Sequence, residues 1–378
     1  MQYRNLCGKE VSTLGFGCMR FPLLDEDTAN IDEKEASRMI HYAVDSGVNY
    51  LDTAWPYHMQ MSEPFVGKLL KSGLRDKVLI ATKLPSWLIE TTGDFDRYLN
   101  EQLKKLQTDH IDYYLVHALK DSLWGKLKKL GVREWLDNTL KDGRIGIAGF
   151  SFHDELPVFK RIVDEHHWSF CQIQYNYMDT GFQAGTEGLE YAAKKGLDII
   201  DMEPLRGGKL TNNIPPEITG LLEKSGLTTT PAALGLRWVW NRPEVKTLLS
   251  GMTTMEHVRE NIEIAETALP GSLSGDEKDL IDRIRQIFLD RIKIPCSECE
   301  YCLPCPEGVK IPAIFSIYND LHIYGDEKWA RLYYGMTVPE DGRASNCVQC
   351  GQCEENCPQQ IKIIDELKKC TKVLESSA

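Results

Sequence analysis

No run of eighteen or more consecutive apolar residues occurs in this chain, so no segment reads as a membrane-spanning helix and a membrane partner is not expected. The opening residues, MQYRNLCGKE, lack the apolar stretch of a secretory signal, which points to the cytoplasm and away from disulfides. Positive charge is scarce as well: 44 Lys and Arg face 56 Asp and Glu, for a net charge of -12. Nucleic-acid binding depends on cations that neutralise phosphates, so a nucleic-acid partner is excluded. The acidic surface keeps the protein soluble and is compatible with a charged electron-transfer partner. A G-x-G-x-x-G turn between strand and helix is also missing; Gly15-Phe16-Gly17 is too short for the dinucleotide fingerprint and reads as a plain turn.

Cysteine, by contrast, is abundant and concentrated. Of the 12 cysteines, eight lie in two runs, Cys296-x2-Cys299-x2-Cys302-x2-Cys305-Pro306 and Cys347-x2-Cys350-x2-Cys353-x3-Cys357-Pro358. Three thiolates at steps of three wrap one tetranuclear cluster, and the fourth, followed by proline, ligates the cluster of the other run in two-cluster ferredoxins. The spacing therefore predicts two [4Fe–4S] clusters, one on Cys296, Cys299, Cys302 and Cys357, the other on Cys347, Cys350, Cys353 and Cys305. The first run departs from the pattern by closing with two intervening residues, Leu303 and Pro304, rather than three. Structural zinc on four thiolates is the competing reading, but four evenly stepped cysteines closed twice by Cys-Pro exceed what zinc needs. Cys7, Cys18, Cys171 and Cys370 stand in no ligand spacing and read as incidental or buried thiols.

At 378 residues, 42% hydrophobic and 26% charged, the chain is longer than one ordinary core and divides into two unequal domains. A charged helical stretch from Asp276 to Lys293 stops before Pro295, immediately ahead of the first cysteine run. The expected boundaries are 1–290 and 291–378. Between the two runs, Trp329, Tyr333 and Tyr334 are expected to pad a small core.

In the large domain, β-rich runs alternate with amphipathic helical stretches: Thr13–Met19, Val48–Ala54, Val78–Lys83, Ile111–His117, Ile145–Ser151, Phe170–Tyr175, Leu197–Met202 and Val245–Ser250. Between the first two, Ala36, Met39, Ile40, Ala43 and Val44 fall on one helical face, and Gly47 follows as a C-terminal stop. Comparable helical stretches end at Gly143 and Gly196. Eight strand–helix repeats over about 290 residues define an α/β fold of the (β/α)8 barrel type, followed by a small α-helical ferredoxin-like iron–sulfur domain.

In such a barrel, chemistry sits at the C-terminal ends of the strands. Asp52 ends the second strand, Lys83 the third and His117 the fourth, with Tyr57 on the loop after the second. Each has an ordinary explanation alone, as a loop cap, a solvated cation, a core histidine or a packed ring. Together they make sense chemically: a tyrosine needs a neighbouring cation to donate its proton near neutrality, and that cation needs an anion to hold it. Trp55 and Trp87 follow the same strands and either line the pocket or pack against neighbours.

At these residues, in GVNYLDTAWPY, ATK and YYLVH, the sequence resembles the aldo-keto reductase family, and specifically members fused to a C-terminal two-cluster domain. The resemblance implies an oxidoreductase that transfers hydride between NAD(P)H and a small carbonyl or alcohol, with Tyr57 as general acid, Lys83 and Asp52 as its activators and His117 orienting the substrate. By the same resemblance, which extends through CQIQYN, MEPLRGGKL and GMTTMEHVREN, cofactor contacts are expected on Ser151, Gln172, Pro204, Leu205, Gly207, Ser250, Gly251, Glu260 and Asn261. Three departures stand out: Phe152 follows Ser151 where the family usually has Asn, Met202 takes the place of an aromatic platform, and Gly251 and His257 replace basic residues that grip a 2′-phosphate, leaving Arg259 nearby. These leave NADP, NAD and a flavin open as the barrel cofactor. Two other functions stay open beside the enzyme: a redox sensor whose barrel binds nucleotide, and a flavin- or ferredoxin-linked electron-transfer module.

Overall fold

A computed structural model describes the whole chain except residues 213, 268, 297–299, 358 and 377–378. Ten strands occur among the described residues: β1 (Tyr3–Leu6), β2 (Lys9–Ser12), β3 (Leu14–Gly17), β4 (Tyr50–Asp52), β5 (Leu79–Leu84), β6 (Ile111–Leu119), β7 (Ile145–Phe152), β8 (Phe170–Gln174), β9 (Asp198–Met202) and β10 (Val245–Ser250). The last eight close a barrel in the order β10-β3-β4-β5-β6-β7-β8-β9, every neighbouring pair parallel. All eight coincide with runs read from the sequence. The expected helix after β3 spans Glu33–Asp45, capped by the Asp32 carboxylate, with Gly47 in the left-handed region beyond its end.

The sequence reading missed the β1–β2 hairpin. Its turn is Cys7-Gly8, both with positive φ (50° and 88°), which suits the twist of a two-residue hairpin. Leu6 and Val11 are buried with Tyr50, Ala81, Tyr113, Phe170, Ile200 and Leu249. The Tyr113 hydroxyl donates to the Leu6 carbonyl at 2.9 Å, and the Cys7 amide donates to Asp198, the first residue of β9, at 2.6 Å. The hairpin therefore plugs the end of the barrel where strands begin.

Side chains alternate across each strand, so one set points inward and the other toward the helices. The inward set fills the barrel in layers: Tyr50 meets Tyr113 edge-on at 5.3 Å, and Tyr113 meets Phe170 at 5.5 Å. Gly149 is required by that filling, since a Cβ there would lie 2.6 Å from the Phe170 ring. Two residues further along each strand, the next inward position holds Asp52 on β4, Lys83 on β5 (after Ala81), Ser151 on β7, Gln172 on β8 and Met202 on β9. On β6 the inward sequence runs Tyr113, Leu115, His117.

By packing, the chain forms two compact units: Met1–Gly207 with Thr230–Ser274, and Gly208–Thr229 with Gly275–Ala378. In the second, the helix Gly275–Leu289 packs with the helix Pro216–Ser225, joined by Arg291 to Glu217 at 2.9 Å. The sequence reading ran that first helix on to Lys293 and kept it with the barrel. It ends four residues sooner, and its buried face, with Phe288 against Tyr324, belongs to the second unit. The helices Ile311–Tyr324, Glu327–Thr337 and Ile363–Leu374 share a core that includes Phe315, Tyr318, Leu367 and Cys370. Of the three expected core aromatics only Tyr334 is buried; Trp329 and Tyr333 stack on each other at 5.9 Å on the helix's outer face, about 40% exposed. Helical phase explains the split, because Ala330 and Tyr334 occupy the inward stripe. No helix among the described residues is long and apolar enough to cross a membrane.

Candidate active site and cluster cavities

Strand alternation brings the rim residues to one place. Lys83 Nζ donates to Asp52 Oδ1 at 2.6 Å and to the Thr53 carbonyl at 2.8 Å, and lies 3.4 Å from the Tyr57 hydroxyl. The Tyr57 ring is edge-on to His117 at 6.4 Å, and the Trp87 ring is tilted against His117 at 5.2 Å. Trp87 thus lines the site. Trp55 does not: it packs edge-on against Tyr98 at 4.9 Å beneath the Lys105 ammonium.

Asp52 and Lys83 are both essentially inaccessible to water. Burial by itself would lower the Lys83 ammonium, but the Asp52 charge and Tyr57 outweigh it and hold the group above its ordinary value. Burial raises Tyr57, and Lys83 offsets part of that rise. Lys83 does not bring the phenol down as its neighbouring charge suggests; in the folded chain desolvation wins, so Tyr57 keeps its proton throughout the neutral range. Burial, reinforced by Lys83 and His153, pushes His117 well below the usual imidazole range, leaving it neutral, with Nδ1 lacking a hydrogen-bond partner. Removing one member of a buried ion pair strands the other. Asp52→Ala is accordingly expected to cost about 3–5 kcal/mol of stability, read as a lowered thermal midpoint, whereas Tyr57→Phe should barely move it.

Two supports of this geometry were not visible in the sequence. Tyr57 opens a turn in which His58, Met59 and Gln60 all have left-handed φ (52°, 51° and 73°), each a costly conformation for a residue with a Cβ. The buried His58 ring holds it, accepting from the Phe21 amide at 3.1 Å and pairing its other nitrogen with the Thr28 carbonyl at 2.8 Å. Behind Lys83, Glu63 is completely buried and accepts from Thr82 Oγ1 and Gln102 Nε2, both at 2.7 Å. Gln102 also donates to the Lys83 carbonyl at 3.0 Å and accepts from Tyr114 at 2.7 Å. The ammonium is inside the barrel while its own main chain is pinned from outside. No residue spacing announces a buried glutamate.

The remaining candidates divide. Gln172 faces the interior beside Met202, and its Oε1 is buried without a partner, an acceptor suited to a carboxamide N–H. Ser151 accepts from the Ala118 amide at 2.8 Å and has its hydroxyl proton to give. Phe152 is fully buried and packs edge-on against Phe159 at 5.0 Å on the helix side, so it introduces no aromatic ring into the mouth. Pro204, Leu205 and Gly207 lie on the loop after β9, and Ser250 and Gly251 end and follow β10. Asn261 is buried and donates to Ser250 Oγ at 2.9 Å, while Glu260 receives Thr230 Oγ1 at 2.8 Å. Those two therefore buttress the loops within the chain. The combination of an orphaned amide oxygen, a serine hydroxyl and two glycine-bearing loops fits a nicotinamide dinucleotide.

In the second unit, Cys305, Cys347, Cys350 and Cys353 line one cavity, which Cys302 also touches. Cys296, Cys302 and Cys357 line a second. Cys299 lies outside the described residues. Cys357 thus shares a cavity with cysteines of the first run and Cys305 one with cysteines of the second, with Cys302 touching both. Among the described residues no three Cys, His, Asp or Glu converge closely enough for a single ion.

An eight-stranded parallel barrel with Tyr, Lys, Asp and His at its C-terminal rim is the architecture of a barrel oxidoreductase. Residues 13–273 match the Aldo/keto reductase family, and the chain belongs to that family. Residues 295–361 match a 4Fe-4S dicluster domain, so an iron–sulfur domain is fused to the reductase barrel. A probable aldo-keto reductase of Glycine max is 30% identical over 74% of this chain and 86% of its own. The uncharacterized oxidoreductase YrpG of Bacillus subtilis is 26% identical over 76% of this chain and 95% of its own. The holo form of aldo-keto reductase AKR11C1 from Bacillus halodurans superimposes with a TM-score of 0.62 at 25% identity, covering 75% of this chain and 96% of that one.

Proposed function

We propose that the barrel reduces a small carbonyl compound, or oxidises the corresponding alcohol, with a nicotinamide dinucleotide held over the Tyr57–Lys83 pair. The observation that carries this reading is the single buried ammonium that bonds Asp52 and also reaches the Tyr57 hydroxyl. A bound nicotinamide supplies the hydride. Tyr57 gives its proton to the carbonyl oxygen, where negative charge develops, and the adjacent ammonium stabilises the phenolate left behind. Asp52 keeps Lys83 charged and fixed. His117, neutral and with Nδ1 unsatisfied, hydrogen-bonds the same oxygen and sets its direction. Gln172 and Ser151 would hold and orient its carboxamide. Steady oxidation of NADH or NADPH with a panel of aldehydes and ketones tests the reading. No turnover with any of them, or flavin in the acid-released fraction in place of bound nicotinamide, overturns it.

The protonation states set a pH profile. Carbonyl reduction requires Tyr57 protonated and His117 neutral, and burial moves the two groups apart, tyrosine upward and histidine downward. The expected kcat is flat across the neutral range, falling only above about pH 10, where the phenol loses its proton, and well below pH 6.5, where the imidazole gains one. A limb with an apparent pKa near 7 would contradict this.

For the second unit we propose two [4Fe–4S] clusters in the crossed arrangement, passing electrons singly to or from a protein partner. Cys350 is exposed, so a cluster held by it would have an edge open to a partner.

A further inference from the structure

The Tyr57 turn and the Lys83 strand are joined by a second lysine, which lies outside the barrel. Lys105, near the end of the helix Thr92–Leu106, sends its ammonium to three places at once. Its Nζ stands 3.4 Å from the centre of the Trp55 ring, donates to Gln60 Oε1 at 3.2 Å and lies 3.9 Å from Glu63 Oε2. Its other neighbour, Glu101, is exposed on the same helix at 3.7 Å. Trp55 and Gln60 bracket Tyr57 in the chain, one just before it and one just after. On its other oxygen Glu63 accepts from Thr82, the residue before Lys83, and from Gln102, which holds the Lys83 carbonyl. The backbones are equally close: a Cβ at Gly67, on the helix Ser62–Leu69, would lie 2.2 Å from the Lys105 carbonyl oxygen. One ammonium, its side chain only 16% exposed, thus ties together both partners of the 3.4 Å Tyr57–Lys83 contact.

We infer that Lys105 is a positioning residue for the proton transfer: acting through Trp55, Gln60 and Glu63, it fixes the distance between the Tyr57 hydroxyl and the Lys83 ammonium. The inference rests on the reading of Tyr57 as proton donor. Three observations support it. The turn that carries Tyr57 continues through three left-handed residues, a conformation that persists only where its surroundings over-determine it. His58 is held by Phe21 and Thr28, and Gln60, the third of those residues, by Lys105. An ammonium packed on an indole and largely withdrawn from water is a strong form of the cation–π contact, so Trp55 is fixed as well. Glu63 Oε2 is buried without a hydrogen-bond partner, and Lys105 is the cation that faces it, which makes the contact costly to break. Displacing a proton donor by about 1 Å costs up to about a hundred-fold in rate, so a residue that only sets this spacing has a large lever on turnover.

The test measures kcat, KM and the thermal midpoint of full-length, cluster-loaded protein with the aldehyde turned over fastest. Lys105→Met is expected to lower kcat about ten- to a hundred-fold while KM for nucleotide and aldehyde stays as in wild type. Lys105→Arg should restore most of the loss, because a guanidinium keeps both the charge and the stack on Trp55. Gln60→Leu, at an exposed position that leaves the Lys105–Glu63 pair intact, should lower kcat by a smaller factor with the thermal midpoint unmoved; it decides the matter if Lys105→Met folds poorly. The sharpest comparison adds Lys105→Met to Tyr57→Phe. On that background it should lower the residual turnover no further, since a residue that works through the phenol has nothing left to position. Equal factors on the two backgrounds would mark a general structural role and overturn the inference, as would wild-type kcat in both Lys105→Met and Gln60→Leu. Wild-type turnover by Tyr57→Phe itself removes the proton-donor reading and this positioning role together.

Discussion

Replacing Tyr57 by Phe is expected to lower carbonyl turnover by a factor of about 10²–10⁴, the usual contribution of a positioned general acid, while NADH and NADPH bind as before. Only one oxygen atom is removed. The ring keeps its edge-on contact with His117, and the Lys83–Asp52 pair keeps its 2.6 Å bond, so neither folding nor the cofactor loops should respond. The informative comparison is Lys83→Met. It removes the charge that stabilises the phenolate but also leaves the Asp52 carboxylate buried without its cation, adding a stability loss to the rate loss. If Tyr57→Phe turned over at more than a tenth of the wild-type rate, the proton would come from elsewhere and the roles assigned at this rim would fail.

The second large effect concerns iron. Because Cys357 shares a cavity with Cys296, and Cys305 one with Cys347, Cys350 and Cys353, paired substitutions should be non-additive. Cys296→Ala combined with Cys357→Ala removes two ligands of one cluster and should leave about four of about eight irons per chain. Cys296→Ala combined with Cys305→Ala strikes both clusters and should leave neither intact. Uncrossed ligation predicts the reverse pattern, so iron analysis with absorbance near the thiolate-to-iron bands decides between them.

The barrel was legible because its signals are local and repeated. Each strand is a short β-rich run, and left-handed glycines such as Gly143 and Gly196 mark the ends of helical stretches. The rim residues were legible for a related reason: a charge at the end of an apolar strand has few structural uses. What escaped notice depends on contacts between distant residues. The hairpin has only four residues per strand and turns at Cys7-Gly8, which carries a weaker signal than Asn-Gly. Glu63 and Gln102 are 39 residues apart and ordinary in sequence, and only packing makes them a buried pair behind Lys83. Trp55 and Trp87 look equivalent along the chain, yet one faces helices and the other His117.

The hairpin plug carries a kinetic corollary. If a nicotinamide dinucleotide binds as proposed, a chamber stoppered at its base leaves the rim as its doorway, and dinucleotide and carbonyl are expected to arrive in sequence and depart in reverse. Compulsory-order kinetics, with spent nucleotide competing against fresh nucleotide for the empty enzyme, is the steady-state signature of that dead-end corridor.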